Sequence, residues 1–198
     1  TDAPGFSANK VTGKYSLRVS DTAELVLQDC RISADNVLPN AEGLKGPLTC
    51  LNQARYGIAW GAVGAAMACY DEALRYAKNR IAFGRPIAAT QLMQELLVEC
   101  VTEITKAQLM CLRLGQLKEA GTVTPQQVSM AKRNNVVMAL NTARTCREIL
   151  GGNGILDDYQ SFRHMVNLES VYTYEGTHQI HTLIVGHDIT GYPAFGER

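Results

Sequence analysis

The 198-residue chain lacks two features that would place it on a nucleic acid or in a membrane. Its 19 Lys and Arg residues balance its 19 Asp and Glu residues, and they form no basic block. Binding to a nucleic acid or an anionic membrane calls for a basic surface. No apolar run reaches the roughly 20 residues that span a bilayer. We therefore predict neither a nucleic-acid nor a membrane partner.

Paired cysteine motifs are also missing. The six cysteines form no Cys-x-x-Cys pair, and most lie in helical patterns among apolar neighbours. Disulfide frameworks and zinc sites depend on patterned spacing. We predict reduced core thiols in an intracellular protein and no metal site. The cysteines are Cys30, Cys50, Cys69, Cys100, Cys111 and Cys146.

Residues 1–42 have the character of β-strands. Alternating apolar or β-branched residues at 16–20 and 23–27 predict two short strands separated by polar turn residues. Two or three strands do not form a stable sheet alone. We therefore expect them to complete a sheet whose other strands lie elsewhere, in a longer protein of which this chain is a part.

Residues 43–198 are predicted to be helical. Apolar residues recur at spacings of three and four, as in the seam of a helix bundle, and Gly121 with Thr124-Pro125 marks one helix end and the next start. Gly57, Gly61 and Gly64 share one face, which predicts close approach of a neighbouring backbone. Short connections favour an antiparallel four-helix bundle. The predicted helices cover about 47–80, 91–120, 125–150, 159–170 and 175–191.

One acidic residue, Glu175 in "VYTYEGTH", is open to three interpretations. An acid near a helix start is favoured by the helix dipole. Glu-x-x-His, here with His178, is also a di-iron ligand motif, but such sites need a second copy of it, and the chain has none. A general base is the third interpretation, because Gly176 beside it gives a ligand close access. The residues alone leave the first and third open.

Three further clusters could bind a ligand. Arg80 and Gln91 flank the helix-breaking "AFGRP" loop, where an arginine could bind phosphate or simply end a helix. "EILGGNG", residues 148–154, could form an anion nest or an ordinary helix terminus. Asn52 and Arg55, three residues apart, could hold a phosphate-bearing ligand or face solvent in a first helical turn.

The order of these clusters resembles the C-terminal half of the acyl-CoA dehydrogenase flavoproteins. The segments that carry the resemblance are "NVLP", "LNQAR", "RIAFGRPI", "ILGGNG" and "YEGTHQI". Within that family, the chain is most similar to the glutaryl-CoA dehydrogenases. The resemblance implies a mainly α fold: residues 43–198 would form a C-terminal four-helix bundle domain. Residues 1–42 would be the last strands of an incomplete, β-barrel-like middle domain.

The resemblance also implies roles for individual residues. Glu175 matches the base that removes the substrate's α-proton, while flavin N5 accepts hydride from the β-carbon. The backbone N–H of the base residue would bind the thioester carbonyl. Two groups of positions match FAD-binding residues. The first group would reach the FAD of a neighbouring subunit and comprises Arg80, Phe83, Gln91, Glu148, Ile149, Leu150, Gly151 and Gly152. The second group would contact the flavin and comprises Thr177 and Phe195. Positions that match acyl-CoA-binding residues are Leu51, Asn52, Arg55, Tyr174 and Gly176.

The implied reaction is the oxidative decarboxylation of glutaryl-CoA to crotonyl-CoA and CO2. The implied assembly is a homotetramer, a dimer of dimers with FAD at the subunit interface, and the electron acceptor is an electron-transferring flavoprotein. The location would be the mitochondrial matrix in a eukaryote or the cytoplasm in a bacterium. Alternatives are another acyl-CoA dehydrogenase or oxidase, a non-decarboxylating glutaryl-CoA dehydrogenase, and a non-catalytic DNA-binding relative.

Overall fold

Five helices dominate the computed structural model, which describes residues 2–194. Two antiparallel strands come first, followed by a long helix, a small hairpin and four more helices. The elements are β1 (Phe6–Lys10), β2 (Ala23–Leu27), α1 (Lys45–Asn79), β3 (Ile81–Ala82), β4 (Arg85–Pro86), α2 (Gln91–Glu119), α3 (Pro125–Ile149), α4 (Ser161–Thr173) and α5 (His178–Thr190). The mainly α bundle predicted from the sequence is confirmed.

Helix α3 lies at the centre of the bundle. It packs against α1, α2, α4 and α5, and α1 also contacts α2 and α4. The predicted seams of α2 and α3 are buried: Leu97, Ile104, Ala143 and Cys146 lie in the main apolar core. Small residues such as Ala66 and Ala139, both fully buried, allow the long helices to approach closely.

The helix starts have identifiable caps. Thr124 Oγ1 accepts a hydrogen bond from Gln127 N–H, and the Gln127 side chain accepts one from Thr124 N–H, so α3 begins with a capping box. Helix α4 has no side-chain cap of its own. Instead Glu72 of α1 accepts hydrogen bonds from Gln160 N–H, Ser161 N–H and Ser161 Oγ–H, at 2.6 to 3.0 Å. A carboxylate on α1 thus satisfies the free donors at the start of α4.

The predicted strand at residues 16–20 is wrong. The backbone there turns, with Leu17 at φ 48° and a hydrogen bond from Ser20 N–H to Leu17 O. Asn167 of α4 accepts the Leu17 N–H through Oδ1 at 2.8 Å. This contact with α4 replaces a strand partner. The strand that pairs with β2 is β1, with Phe6 opposite Leu27 and Lys10 opposite Ala23.

The predicted close approach at the glycines of α1 is also wrong for this chain. A Cβ added to Gly57, Gly61 or Gly64 would meet no atom within 4 Å among the described residues. The glycine face of α1 is therefore open. The proposed division into domains at residues 42 and 43 stays a prediction. Across residues 2–194, the model has no helix of the length and apolarity that crossing a bilayer requires.

Candidate active site

Glu175 lies in the short loop between α4 and α5, not in a helix. The prediction that the last helix begins at Glu175 is wrong, because α5 begins at His178 and Thr177 is its N-cap, accepting a hydrogen bond from Ile180 N–H. Glu175 has φ 56°, a left-handed conformation that is uncommon for a residue with a side chain. Gly176, which follows, has φ 88°. The interpretation of Glu175 as a helix-start acid loses its basis.

Three buried side chains hold the carbonyl groups of this loop. Lys132 Nζ donates to Val171 O, Tyr174 O and Gly176 O at 2.8 to 2.9 Å. Arg55 Nε donates to Glu175 O at 2.8 Å. His181 Nε2 lies 3.1 Å from the same oxygen, and since a carbonyl only accepts, Nε2 carries the proton. We call Lys132, Arg55 and His181 the loop clamp.

Burial of the loop clamp shifts its proton affinities. Desolvation and, to a smaller extent, the nearby charge of Arg55 lower the pKa of Lys132 from 10.5 to about 8, against the opposing effect of Glu175. Desolvation, with Lys132 and Arg55, lowers the pKa of His181 to about 4. Near neutral pH the clamp therefore comprises two cations and a neutral imidazole.

The Glu175 carboxylate has an atom that the protein leaves unpaired. Its Oε2 is buried and has no hydrogen-bond partner among the described residues. A buried carboxylate oxygen without a donor is costly in a folded protein, and such atoms commonly mark functional sites. Desolvation and the Glu175 charge raise the pKa of neighbouring Tyr174, so its phenol stays neutral. This combination fits a proton acceptor that meets its partner only when a ligand binds.

The histidines that follow Glu175 have structural partners. The His178 ring stacks on Tyr172 with centroids 4.9 Å apart and planes 7° apart. His181 is fully buried and binds the Glu175 carbonyl, not its carboxylate. Within residues 2–194, no group of three or more His, Cys, Asp or Glu side chains is arranged to hold a metal ion.

Of the predicted acyl-CoA-binding residues of α1, Arg55 contacts this loop, whereas Asn52 lines a cleft beside Thr124. Leu51 and Asn52 are half-buried in the second turn of α1, and Arg55 is only 8 % exposed. Arg55 is therefore not a solvated first-turn residue, and its Nε is already bonded to the loop. Glycine is favoured at position 176, because φ is 88° and an added Cβ would lie only 3.0 Å from His181 Nε2 and 3.2 Å from Arg55 Nη2.

The predicted FAD-binding residues lie mostly at the other end of α1. Arg80 follows the helix, and the β3–β4 hairpin turns at Phe83 and Gly84, with φ 52° and 78°. Phe83 is fully exposed at this tip, and Arg80 and Gln91 are exposed too. A flat ring could stack on such an aromatic, and a guanidinium could bind a diphosphate. These residues therefore fit a flavin nucleotide.

The glycine-rich segment after α3 shares this end of the bundle. Asn153 Nδ2 donates to Tyr76 Oη at 3.0 Å, which places the segment beside the last turns of α1. Glu148, Gly151 and Gly152 are exposed. The Ile149 and Leu150 side chains are buried, so only their backbone could face a ligand. We call the β3–β4 hairpin and residues 148–152 the hairpin end.

The hairpin end and Glu175 are far apart in one chain. Arg55, which binds the Glu175 loop, and Asn79, which ends α1, are separated by about 36 Å at 1.5 Å per residue. Thr177, also predicted to bind FAD, lies on the Glu175 side as the α5 N-cap. Phe195 lies outside the described residues. The structure thus separates Thr177 and the Glu175 loop from the residues that the resemblance assigns to the FAD of a neighbouring subunit.

Sequence reasoning missed two members of the loop clamp. Lys132 is fully buried in the middle of α3, and His181 is fully buried in the first turn of α5. A signal for Lys132 exists in the pattern: it stands on the apolar stripe of α3, four residues from both Val128 and Val136, where a lysine needs buried partners. The partners themselves, on α4 and the following loop, are not visible in the sequence.

Comparison with known proteins resolves the family. A family model described as "Acyl-CoA dehydrogenase, C-terminal domain" matches residues 41–190, which is most of the chain. The chain belongs to the acyl-CoA dehydrogenase family. The crystal structure of glutaryl-CoA dehydrogenase from Mycobacterium smegmatis superposes with a TM-score of 0.97 and 50 % identity, covering 99 % of this chain and 51 % of that one.

Two curated relatives show the breadth of the family. The chain is 33 % identical to human mitochondrial short-chain specific acyl-CoA dehydrogenase over 96 % of its length and 46 % of that protein. It is 32 % identical to acryloyl-CoA reductase (NADH) of Anaerotignum propionicum over 94 % of its length and 48 % of that protein. This acyl-CoA dehydrogenase chain therefore spans about half the length of the curated relatives it matches.

Proposed function

We propose that the protein containing this chain is an FAD-dependent acyl-CoA dehydrogenase that oxidises glutaryl-CoA and releases CO2, giving crotonyl-CoA. The 50 % identity to a glutaryl-CoA dehydrogenase over 99 % of the chain supports the choice of substrate. A second structure of a glutaryl-CoA dehydrogenase, in complex with FADH2, shares 47 % identity and supports the choice of cofactor. Family membership supports the class of reaction.

The observation that carries the proposal is the state of Glu175. Its carboxylate has a buried, unpaired oxygen, and its backbone is held in a left-handed conformation by the loop clamp. An acyl-CoA α-proton is weakly acidic, so its removal needs a base placed within hydrogen-bond reach. An unpaired carboxylate oxygen on a restrained loop supplies that base.

The chemistry assigned to this chain is proton transfer and binding. Glu175 would take the α-proton of the thioester, and its backbone N–H would donate to the thioester carbonyl, stabilising the negative charge that develops there. Bound FAD supplies the acceptor for the two electrons that leave with the β-hydrogen. The product, glutaconyl-CoA, would then lose its distal carboxylate as CO2, and the electron pair of the broken bond to the γ-carbon would pass into the conjugated thioester as a dienolate. The proton that Glu175 took would return to the γ-carbon and give crotonyl-CoA.

Separation of the two ends of α1 supports an FAD site shared between copies. Arg80, Phe83 and residues 148–152 lie too far from Glu175 to meet the same reacting atoms in one chain. In a symmetric pair, the hairpin end of one copy would reach the cofactor of the other. This separation supports a pair of copies, and the resemblance to the family extends the proposal to a homotetramer, a dimer of dimers. The open glycine face of α1 offers further surface for such contacts.

The proposal extends to the electron acceptor and the location. A structure described as the electron transferring flavoprotein of Acidaminococcus fermentans aligns with a TM-score of 0.90 and 30 % identity. We therefore propose an electron-transferring flavoprotein as the acceptor. The six cysteines are all free, which supports an intracellular location, the mitochondrial matrix or the bacterial cytoplasm.

The test uses the intact protein and two matched variants. We expect glutaryl-CoA, added without oxygen, to bleach the visible flavin absorbance of the wild type and to release CO2. Glu175→Gln removes the base but keeps the side-chain size, so both signals should be lost. Glu169→Gln, an exposed glutamate of α4, is the control and should behave as wild type.

Each part of the proposal would be contradicted by a different experimental result. Rapid bleaching in the Glu175→Gln variant would remove Glu175 as the base. Bleaching without CO2 would leave a non-decarboxylating dehydrogenase. Faster bleaching with a straight-chain acyl-CoA that lacks a distal carboxylate would mean that glutaryl-CoA is not the preferred substrate. Fast oxygen consumption in place of reduction of an electron-transferring flavoprotein would make the protein an oxidase.

A further inference from the structure

Lys132 has an unusual set of partners for a buried lysine. Its side chain is 1 % exposed, and its three ammonium protons match three carbonyl oxygens at 2.8 to 2.9 Å. A buried ammonium is costly unless its donors are all satisfied. Here the donors are satisfied without any carboxylate bonded to Nζ. The position of the charge is therefore defined by backbone oxygens alone.

Only one of these three bonds is ordinary helix capping. Val171 lies in the last turn of α4, where a cation commonly binds a free carbonyl. Tyr174 O and Gly176 O lie beyond the helix, one on each side of Glu175. Lys132 therefore joins the end of α4 to both flanks of the proposed base.

The backbone between these two bonds is the strained part of the loop. Glu175 at φ 56° carries a side chain in the left-handed region, which is unfavourable for residues other than glycine. Such a conformation persists only where its surroundings impose it. Lys132 fixes the carbonyls before and after Glu175, and Arg55 and His181 fix its own carbonyl, so each peptide oxygen of residues 174–176 is bonded.

We infer that Lys132 is a positioning residue for the proposed reaction: by binding the carbonyls on both sides of Glu175, it holds the left-handed backbone that aims the carboxylate at the substrate. The inference rests on the proposed role of Glu175 as base. It assigns Lys132 no contact with the substrate. Its effect should fall on proton removal, with acyl-CoA binding left intact.

Two substitutions in the intact protein distinguish the effect of the Lys132 N–H donors from the effect of its positive charge. Lys132→Met removes every donor, whereas Lys132→Gln keeps two N–H donors without the charge. We expect kcat to fall about 100-fold for Lys132→Met, as for an active group displaced by about 1 Å, with KM unchanged. The kcat of Lys132→Gln should lie between the kcat of Lys132→Met and that of the wild type. Lys106→Met, an exposed lysine of α2, is the control and should leave kcat unchanged.

Two further readouts report the mechanism and the loop directly. The primary isotope effect of α-deuterated substrate should increase in Lys132→Met, because proton removal becomes slower than the other steps. Amide hydrogen exchange should accelerate in residues 174–181 and stay at the wild-type rate in α2. Faster amide exchange in α2 as well as in residues 174–181 would mean that the substitution destabilises the whole protein, and it would overturn the inference.

The results distinguish failure of the inference from failure of the proposed function. A wild type whose flavin glutaryl-CoA does not bleach would overturn the proposed function, and an active Glu175→Gln variant would remove the base on which the inference rests. An inactive Glu175→Gln variant together with wild-type kcat in both Lys132 variants would overturn the positioning role alone. If Lys132→Met does not fold, Lys132→Gln decides: wild-type kcat and an unchanged isotope effect in that variant would overturn the inference.

Discussion

At the scale of single residues, the loop before α5 shows how a side chain gains a role from what surrounds it. Glu175 is unremarkable in composition, but its neighbours hold its backbone in a left-handed conformation and leave one carboxylate oxygen unpaired. Lys132 and Arg55 place two positive charges beside it. The residue types are common, and their arrangement creates the candidate base.

His181 makes the stability of this loop depend on pH. Burial, Lys132 and Arg55 lower its pKa from 6.5 to about 4, so it stays neutral in the folded protein when an unfolded chain would bind a proton. The stabilisation that depends on neutral His181 is therefore complete above pH 6.5, and it is lost as the pH falls toward 4. The loss amounts to about 3 kcal/mol at most, since one pKa unit is about 1.4 kcal/mol.

The measurement is the apparent melting temperature of the intact protein from pH 7 to pH 4. His181→Gln cannot bind the proton, so its melting temperature should fall less steeply than that of the wild type. His187→Gln, an exposed histidine near the end of α5, should follow the wild type. Parallel curves for wild type and His181→Gln would contradict the assignment.

At the scale of secondary-structure elements, helices of this bundle complete one another's ends. The α4 start is capped by Glu72 of α1, and the α4 end is capped by Lys132 of α3. An acid at the positive end and a cation at the negative end both favour the helix dipole. Helix α4 is thus anchored to two long helices, and the loop that carries Glu175 begins from a fixed point.

Glu72→Gln should destabilise the protein through α4. An amide has one acceptor oxygen where the carboxylate has two, so hydrogen bonds from Ser161 or Gln160 are lost. Hydrogen bonds to a charged group contribute about 1.5 to 3 kcal/mol, and we expect a loss of that order. Thermal unfolding by circular dichroism measures it, with exposed Glu119→Gln of α2 as the control. Equal melting temperatures of the Glu72→Gln and Glu119→Gln variants would mean that Glu72 does not cap α4.

At the scale of the whole molecule, the 35-residue helix α1 separates the two groups of candidate site residues. Arg55 near its start holds the Glu175 loop, and the β3–β4 hairpin follows its end. In the proposed function, the hairpin end would therefore act at the FAD of a second copy of the chain. A test of this shared site needs two different variants in the same assembly.

Mixing two inactive variants should restore activity. We expect an Arg80→Ala, Phe83→Ala double variant to lose FAD from the partner site, while Glu175→Gln lacks the base. In a mixed pair, one site combines an intact Glu175 with the intact hairpin of the other copy. Co-expression should therefore recover about a quarter of the wild-type rate, since half the pairs are mixed and each has one good site.

A control co-expression shows that any recovered activity comes from mixed pairs. Co-expressing Glu175→Gln with itself under a second tag should give no activity. If the co-expressed pair stays inactive although both variants associate, the hairpin and Glu175 act within one chain. The shared site would then be wrong.

The sequence by itself determined the helices and the family. Apolar spacing predicted α1, α2 and α3 close to their observed bounds, because a buried stripe at helical period leaves few alternatives. The ordered motifs pointed to the acyl-CoA dehydrogenase family, which the match to residues 41–190 confirms. The position of Glu175 as the candidate base followed from the same motifs and stays a prediction.

Only the tertiary structure decided which residues support that base and where the other candidates lie. Residues 16–20 form a turn because Asn167, 150 residues away, accepts the Leu17 N–H. Lys132 finds its carbonyl partners 39 to 44 residues further along. Such contacts depend on how helices pack, and no local pattern encodes them. The rigid length of α1 separates Phe83 from Glu175, a distance that appears only when the chain is folded.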